Sequence, residues 1–241
     1  PKILLKAFEE VKPNLILTVP LILEKIYKKM ILPQLSKTTM KVALNIPLLD
    51  SRIYAQIRKK LVDSFGGRFR EVIVGGAAMN EEVTNFLYKI RFPFTIGYGM
   101  TECGPLISYD HNDEYVPGSC GQILKGIMKV RIDSEDPYNK VGEIQVSGEN
   151  VMKGYYKNEE ATAKVFTEDG WLRTGDLGTI DADNRIYIRG RSKTMILGAS
   201  GQNIYPEEIE SKLNNLPFVM ESIIIEKNGK LIGLVYPDYD T

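Results

Sequence analysis

Short β-branched runs alternate with segments of helical period through the first hundred residues, and this alternation constrains the fold more than any other feature. The runs LILTV, REVIV and FTIG are each about as long as a buried strand. Between them, one helical segment opens on Pro20, and another repeats apolar residues every four positions before Gly66 and Gly67. A third helix is predicted after Asn80, a favourable N-cap. This order predicts an α/β fold with a mostly parallel sheet flanked by helices.

The pattern changes after residue 117. Short strands separated by the turn sequences DPYN and DADN predict an antiparallel β subdomain over residues 118–191, interrupted by one helix that begins at Asn158. A helix (PEEIESKLNN) and a hairpin that turns at Asn228-Gly229 are predicted after it.

We therefore divide the chain into three parts. Residues 1–117 form the α/β part of a large domain, residues 118–191 its β-rich subdomain, and residues 192–241 the start of a small α+β domain. A chain that opens on Pro1 and stops soon after a strand-like run is expected to be a fragment of a longer protein.

Composition excludes several classes of protein. The chain has 31 Lys and Arg against 31 Asp and Glu, so it has no net positive field for a nucleic acid backbone. The most apolar stretch, Leu15 to Leu23, is too short to span a bilayer. Two cysteines are typical of reduced thiols in a cytoplasmic protein, and a single histidine, His111, excludes sites built from several histidines. We interpret His111 as a surface residue.

The segment TIGYGMTE carries several groups suited to a nucleotide. Gly99 allows backbone to approach a ligand closely, because no Cβ intervenes. Tyr98 offers a flat face for a purine, Thr101 a hydroxyl for a phosphoryl oxygen, and Glu102 an oxygen ligand for Mg²⁺. The alternative is a tight turn after a buried strand. The segment is not a dinucleotide fingerprint, because Glu102 replaces the third glycine of that motif.

The segment VIVGGAAM is a second strand that ends in small residues, among them Gly76, Ala77 and Ala78. Small side chains leave room for a flat ring or an acyl chain, although close packing of a helix on a strand explains them equally well. Because ligands of open α/β sheets gather beyond the carboxyl ends of strands, the two glycine-bearing ends together predict a shared pocket.

Two charged residues follow in the β-rich part. Asp176 lies between glycines in GWLRTGDLG, and Arg191 directly follows a strand. A carboxylate and a guanidinium suit a ribose diol, although a surface ion pair worth about 0–1 kcal/mol is the alternative. The negative charge of Glu102 is expected to raise the pKa of the neighbouring Cys103 thiol, which argues against a nucleophilic cysteine.

Four blocks in a fixed order, GYGMTE, GEIQVSGENVMKGYYKNEEAT, GWLRTGDLG and RIYIRGRSKTMILGASGQNIYPEEIE, resemble the adenylate-forming superfamily of acyl-CoA synthetases and luciferase-like enzymes. The upstream segment LILTVPLILEKIYKKM is similar to the segment that long-chain fatty acyl-CoA synthetases carry ahead of their adenine site. The resemblance implies that this chain is the later part of the large N-terminal domain followed by the start of a small, mobile C-terminal domain.

The resemblance also implies roles for particular residues. Gly76, Ala77 and Ala78 would line the adenine and acyl pockets. Thr101 would contact the α-phosphate, and Asp176 and Arg191 would bind the ribose. Tyr98 and Gly99 would also belong to the nucleotide site. Tyr98 would stack on adenine, and Glu102 would bind Mg²⁺. Lys193 would be the hinge of the small domain, and the loop from Gly198 to Gly201 would border the tunnel for the pantetheine arm of coenzyme A.

The implied activity of the full protein is an ATP-dependent ligation of a long-chain fatty acid to coenzyme A, with release of AMP and pyrophosphate. The alternatives are an acyl-carrier-protein ligase, a ligase for shorter or aryl acids, and a non-catalytic nucleotide- or acyl-binding module. The family's Ser/Thr/Gly-rich phosphate loop and its C-terminal lysine are absent from this sequence, so the chain alone is expected to be inactive. No transmembrane segment is expected, and peripheral association with the inner face of a membrane stays open.

Overall fold

The computed structural model describes residues 2–47, 49–198, 200–237 and 239, which form two compact units. The first unit consists of residues 1–98 and 109–121, and the second of residues 99–108 and 122–241. The chain therefore leaves the first unit at Gly99, returns to it at Tyr109 and leaves it finally after Gly121. The predicted domain boundaries after residues 117 and 191 stay predictions. Pro1, on which the expectation of a fragment partly rests, lies outside the described residues.

The first unit is the α/β part that the alternating pattern predicts. Its elements are α1 (Lys2–Val11), β1 (Leu15–Thr18), α2 (Pro20–Ile26), a π-helical turn (Tyr27–Ile31), α3 (Leu32–Leu35), α4 (Thr38–Leu44), α5 (Leu49–Ser64), β2 (Glu71–Val74), α6 (Glu81–Lys89) and β3 (Phe94–Ile96). The helix α4 has no counterpart among the predicted elements.

The three strands of this unit form a parallel sheet in the order β1-β2-β3, as predicted. Parallel strands covered on both faces are expected to be uniformly apolar, and Val72 and Val74 of β2 are fully buried. Asn80 caps α6 as predicted, because its side chain accepts hydrogen bonds from the N–H groups of Glu82 and Val83 at 3.0 and 3.3 Å.

The helix predicted from Pro20 begins there but changes its winding. A π-helical turn over Tyr27–Ile31 separates α2 from α3, and Leu32 N–H bonds to the Tyr27 carbonyl five residues earlier. Pro33 explains the change, because it has no N–H and its ring clashes with a carbonyl four residues before it. One wider turn removes this conflict without ending the helix.

The core of the first unit contains a group of aromatic rings around Phe65, which directly follows α5 and is fully buried. The Phe65 ring stacks on Phe8 at 5.4 Å between centroids and contacts Phe69 and Phe92 at 5.9 and 5.7 Å. The chain then turns at Gly66 with φ of +90°, where a Cβ would overlap the Phe8 carbonyl oxygen. Glycine is therefore required at the predicted helix stop.

The second unit is mainly antiparallel. Its elements are β4 (Tyr98–Gly99, which starts on the last residue of the first unit's opening segment), a 3₁₀ turn (Thr101–Cys103), β5 (Leu106–Ser108), β6 (Met128–Asp133), β7 (Gly142–Gly148), α7 (Glu159–Val165), β8 (Leu172–Ile180), β9 (Ile186–Arg191), β10 (Ile196–Leu197), β11 (Asn203–Ile204), α8 (Pro206–Leu213), β12 (Val219–Lys227) and β13 (Lys230–Pro237).

The predicted antiparallel subdomain is a four-stranded sheet in the order β6-β7-β8-β9, with every neighbouring pair antiparallel. Ile144, Val146, Leu172 and Ile186 are fully buried and form its apolar face. The DADN segment is the turn between β8 and β9, as predicted, with Asn184 at φ of +60°.

The predicted hairpin is formed by β12 and β13, which pair from Val219 with Pro237 to Lys227 with Lys230. The two turn residues, Asn228 and Gly229, have φ of +54° and +73°. Positive φ at both central residues matches a type I′ turn, which asparagine followed by glycine favours.

Candidate active site

The carboxyl ends of the three parallel strands lie at one edge of the first unit's sheet. Gly75 N–H, just after β2, donates to the Thr18 carbonyl at the end of β1 over 3.0 Å. Gly97 N–H, just after β3, donates to the Val74 carbonyl at the end of β2 over 2.9 Å. The two glycine-bearing strand ends that the sequence singles out are therefore neighbours.

The small residues after β2 form an exposed loop at this edge. Gly76, Ala77 and Ala78 are all exposed, and Gly76 has φ of +89°, which favours glycine. The loop ends at Asn80, whose N–H donates to Glu24 Oε1 of α2 over 2.9 Å. The loop thus has fixed ends and an accessible middle, and a role in lining a pocket stays a prediction.

Tyr98 closes the opening segment of the first unit, two residues after β3. It is only 7% exposed, so little of its ring faces solvent. Stacking of this ring on a purine stays a prediction.

Gly99 is required by its own chain, whatever ligand it meets. A Cβ at Gly99 would overlap the Pro105 carbonyl oxygen and lie 3.0 Å from Leu106 Cα. The neighbouring Met100 N–H donates to the same carbonyl over 2.8 Å. Pro105 and Leu106 therefore make a close backbone approach to this glycine, and its approach to a ligand stays a prediction.

Glu102 lies in the 3₁₀ turn after β4, where Thr101 is exposed and Glu102 is half-buried. Glu102 Oε1 accepts a hydrogen bond from the Tyr155 hydroxyl over 2.8 Å. This bond to Glu102 raises the pKa of Tyr155, because it stabilises the protonated phenol beside a carboxylate. Tyr155 is not among the predicted site residues, although it belongs to the GYYKNEEAT block that carries part of the resemblance.

The backbone of the same turn is held by the segment after β7. Asn150 Nδ2 donates to the carbonyls of Cys103 and Leu106 at 2.6 and 2.8 Å, and Met152 N–H donates to the Glu102 carbonyl at 2.7 Å. Cys103 is fully buried, and burial, followed by the charge of Glu102, raises its thiol pKa to about 11. The expected direction is confirmed, and desolvation is the larger cause.

The Mg²⁺ that the resemblance implies can be tested against this arrangement. No group of three or more His, Cys, Asp or Glu side chains is placed to hold a metal within the described ranges. Mg²⁺ that is shared with substrate phosphates needs only one or two protein carboxylates. Glu102, with one oxygen held by Tyr155, therefore fits a cation that arrives with a nucleotide and does not form a dedicated metal cage.

Asp176 and Arg191 lie opposite each other on β8 and β9. Arg191 Nε is 3.1 Å from Asp176 Oδ1, and the side chain of Asp176 is 9% exposed while that of Arg191 is 72% exposed. The predicted ribose-binding residues are thus adjacent and already paired. An ion pair with so exposed a partner contributes about 0–1 kcal/mol to stability.

Lys193 is exposed in the turn that follows β9. Ser192 N–H before it donates to the Gly175 carbonyl over 2.8 Å, and Thr194 Oγ1 after it donates to Glu207 Oε1 of α8 over 2.6 Å. Lys193 therefore stands between an attachment to β8 and an attachment to α8. Its role as a hinge stays a prediction.

The loop from Gly198 to Gly201 connects the short antiparallel strands β10 and β11. Gly198 N–H donates to the Gln202 carbonyl over 2.8 Å, and Gly201 has φ of +82°. Ala199, within this predicted tunnel loop, lies outside the described residues.

A second polar cluster, which the sequence does not predict, lies in the first unit around the buried Glu71 of β2. Tyr109 donates its hydroxyl to Glu71 Oε1, and Asn112 donates its N–H and Nδ2 to Oε2 at 3.1 and 3.3 Å. His111, exposed as predicted, is 3.6 Å from Glu71 Oε1. Burial raises the pKa of Glu71, but these hydrogen bonds outweigh it and hold that pKa below its usual value. The cluster attaches residues 109–112 to the sheet.

The predicted site residues thus fall into two sets. Gly76, Ala77, Ala78 and Tyr98 belong to the first unit, whereas Gly99, Thr101, Glu102, Asp176, Arg191 and Lys193 belong to the second. Within the part of the chain that the structure describes, no helix is long and apolar enough to cross a membrane.

Comparison with known proteins identifies relatives along most of the chain. Long-chain-fatty-acid–CoA ligase 1 of Saccharomyces cerevisiae is 27% identical over 96% of this chain and 36% of its own length. 4-Coumarate-CoA ligase 2 of Narcissus pseudonarcissus is 34% identical over 76% of this chain and 34% of its own length. The chain therefore spans about a third of the length of these curated relatives.

Solved structures share the fold. The ATP-bound structure of MatB from Rhodopseudomonas palustris matches with a TM-score of 0.73 and 27% identity, and the match covers 100% of this chain and 44% of that one. The family described as AMP-binding enzyme matches residues 1–156. The four ordered motifs, the parallel sheet and these matches agree, and the chain belongs to the AMP-binding enzyme family, within the adenylate-forming superfamily.

Proposed function

We propose that the full protein is an ATP-dependent ligase that joins a long-chain fatty acid to coenzyme A. In the first half-reaction, the fatty carboxylate attacks the α-phosphorus of ATP, and the bond to the β-phosphate oxygen breaks to give acyl-adenylate and pyrophosphate. In the second, the thiol of coenzyme A attacks the acyl carbon, loses its proton and displaces AMP. The adenylate is needed because a free carboxylate is a poor electrophile at neutral pH.

The observation that carries this proposal is the pairing of Asp176 with Arg191 close to the chain's proposed pivot. Asp176 is nearly buried, yet its partner is 72% exposed and contributes little to stability. An exposed guanidinium held beside a carboxylate is suited to bind the hydroxyls of a ribose, since one group accepts and the other donates. The Ser192 N–H bond to Gly175 keeps the end of β9 next to the β8 segment that carries Asp176.

For adenylation, Thr101, which is exposed, would donate a hydrogen bond from its hydroxyl to the α-phosphate. Bound Mg²⁺ supplies charge neutralisation at the phosphoryl oxygens. Glu102 would hold that ion through its carboxylate, and ribose contacts from Asp176 and Arg191 would fix the nucleotide for in-line attack. Charge stabilisation and orientation together provide the rate enhancement.

For thioester formation, rotation about Lys193 would bring a different set of side chains to the same adenylate. The turn that carries Lys193 is attached on both sides, by Ser192 to β8 and by Thr194 to α8. Each of these two bonds lies on one side of Lys193, so such a rotation would leave both intact. The bonds that it would break span Lys193, from the N–H groups of Thr194 and Met195 to the Arg191 carbonyl at 3.2 and 3.0 Å. The loop from Gly198 to Gly201 would then border the tunnel for coenzyme A.

The choice of a long-chain fatty acid rests on the stretch LILTVPLILEKIYKKM and on the yeast long-chain relative, which aligns with 96% of the chain. An aryl acid is a second candidate, because 4-coumarate-CoA ligase 2 is 34% identical to this chain. Both candidates use the same nucleotide groups. They differ in the acid that the exposed loop at Gly76, Ala77 and Ala78 would meet.

The test is an assay of the full-length protein for pyrophosphate and AMP release with palmitate, acetate, benzoate and 4-coumarate. Coenzyme A and acyl carrier protein are compared as acceptors. We expect palmitate with coenzyme A to give the highest kcat/KM. A preference for 4-coumarate or benzoate would support the aryl-acid ligase, and nucleotide binding without pyrophosphate release for any acid would support the binding module.

Variants of the second unit test the nucleotide contacts. Asp176→Ala is expected to weaken AMP binding by about 1.5–3 kcal/mol, the value of a charge-assisted hydrogen bond, as measured by calorimetry. Arg173→Ala is a matched control, because Arg173 also lies on β8 in a half-exposed pair with Glu143 at 3.1 Å. Equal losses in the two variants would remove Asp176 from the ribose site.

A further inference from the structure

The turn that carries Glu102 and the start of β5 are held by one short segment, residues 150–155, at four points. Three hydrogen bonds go to backbone carbonyls, two from Asn150 and one from the N–H of Met152. The fourth goes to the Glu102 carboxylate itself, from the Tyr155 hydroxyl over 2.8 Å. The segment therefore fixes both the backbone and the side chain of Glu102.

Tyr155 is itself held in place before any ligand arrives. Its N–H donates to Thr162 Oγ1 over 2.9 Å, and that hydroxyl donates to the Asn158 carbonyl over 2.8 Å at the start of α7. Gly154, just before it, allows this approach, because a Cβ there would lie 2.8 Å from Thr162 Cγ2. The phenol is thus presented from a capped helix start and not from a loose loop.

Only one oxygen of Glu102 is used in this contact. Among the described residues, no group donates a hydrogen bond to Oε2, and Glu102 itself is half-buried. A glutamate side chain loses considerable rotamer freedom when it binds a cation, and a partner that already holds one oxygen reduces that loss.

On the basis of the proposed function, we propose that Tyr155 is a positioning residue that holds Glu102 Oε1 and leaves Oε2 for the divalent cation that binds with ATP. The hydroxyl does not touch the substrate in this role and takes no proton in the reaction. Removing groups that orient metal ligands typically weakens metal binding 10- to 100-fold. The loss is expected in metal affinity and not in the affinity for the nucleotide alone.

The direct test uses Tyr155→Phe in the full-length protein, with Mn²⁺ as the probe and no acid substrate present. Binding of Mn²⁺ to the ATP-bound protein is followed by electron paramagnetic resonance, and binding of metal-free ATP by calorimetry. We expect about 10- to 100-fold weaker Mn²⁺ binding, with metal-free ATP affinity changed less than twofold. Tyr156→Phe is the matched control, since Tyr156 is the next residue and is 88% exposed.

Activity gives a second readout. We expect Tyr155→Phe to raise the Mg²⁺ concentration needed for half-maximal pyrophosphate release, with the rate restored at high Mg²⁺. In a Glu102→Gln background, Tyr155→Phe should add no further loss of Mn²⁺ affinity, because the hydroxyl acts through the carboxylate.

Mn²⁺ affinity of Tyr155→Phe within twofold of the unmodified protein would overturn the positioning role, and so would an equal loss of metal-free ATP binding. If the unmodified protein binds no Mn²⁺ with ATP and releases no pyrophosphate, the proposed function fails and the positioning role fails with it. If the unmodified protein binds Mn²⁺ with ATP and releases pyrophosphate, but Tyr155→Phe leaves Mn²⁺ affinity unchanged, the proposed function stands and the positioning role is rejected.

Discussion

Asn150 offers a sharp test of how the Glu102 turn is held. Its Nδ2 donates to the carbonyls of Cys103 and Leu106 at 2.6 and 2.8 Å, so one side chain joins the end of the turn to the start of β5. Asn150→Ala removes both bonds. Asn150→Asp keeps the shape of the side chain but replaces the donor with an acceptor that faces two carbonyl oxygens.

The magnitude follows from the number of bonds lost. A neutral hydrogen bond contributes about 0.5–1.5 kcal/mol, so Asn150→Ala is expected to destabilise the turn by about 1–3 kcal/mol. Asn150→Asp is expected to destabilise the turn more than Asn150→Ala, because the aspartate oxygens repel the two carbonyl oxygens. The carboxylate also adds a desolvation penalty of about 1–3 kcal/mol. A local opening that becomes 1–3 kcal/mol easier is about 5- to 150-fold more populated.

Hydrogen exchange measured by mass spectrometry is the suitable assay, because it reports local opening without requiring two-state unfolding. Peptides that cover residues 99–108 and the amide of Met152, which donates to the Glu102 carbonyl at 2.7 Å, should exchange faster by that factor. Asn139→Ala is the control, since Asn139 is exposed and its side chain donates to Asp136 at 3.0 Å, far from this turn in sequence.

Exchange in residues 99–108 that stays within twofold of the unmodified protein in both Asn150 variants would show that Asn150 does not hold this turn. An Asn150→Asp variant no worse than Asn150→Ala at neutral pH would show that the carbonyls do not require a donor. Loss of protection across the entire chain would instead indicate global unfolding, which the loss of these two hydrogen bonds alone is not expected to cause.

Three further outcomes follow from contacts in the two units. Hydrogen bonds hold the pKa of Glu71 below its usual value, so the ionised carboxylate stabilises the fold above about pH 4.5, and this stabilisation is lost as the pH falls through the folded-state pKa. Glu71→Gln should therefore lower the free energy of unfolding at pH 7 by about 1–3 kcal/mol. The variant should also show a weaker pH dependence of acid unfolding, followed by circular dichroism. A Cβ at Gly178 would overlap the backbone carbonyl oxygen of Tyr187, so Gly178→Ala should cost about 1–3 kcal/mol in urea unfolding, and an unchanged midpoint would contradict that contact. With a thiol pKa of about 11, Cys103 should react with iodoacetamide at least ~100-fold more slowly in the native than in the unfolded protein, as measured by mass spectrometry.

Local chemistry made much of the fold predictable. The cap at Asn80, the type I′ turn at Asn228 and Gly229, and the stop at Gly66 each depend on one or two residues whose conformational preferences are strong. The parallel sheet is predictable because short β-branched runs alternate along the chain with segments of helical period. The π-helical turn was not anticipated, because Pro33 could equally have ended the helix.

The candidate site was only partly predictable because its contacts join distant parts of the chain. The pairing of Asp176 with Arg191 follows from a hairpin and could be inferred from strand and turn patterns. The hydrogen bond between Tyr155 and Glu102 spans 53 residues, and that between Tyr109 and Glu71 spans 38. No periodicity or turn signal encodes such a distance, so only the folded structure brings these groups together.

The loop after β2 is anchored at both ends, through Gly75 to the Thr18 carbonyl and through Asn80 to Glu24, while Ala77 and Ala78 face outward. Exchange of either alanine methyl for a larger group removes no buried contact and breaks no hydrogen bond of the anchors. Single substitutions at Ala77 or Ala78 can therefore change the shape of this loop while the rest of the fold stays the same. Under the proposed function, where this loop meets the acid, a change in the acid accepted would require no new architecture.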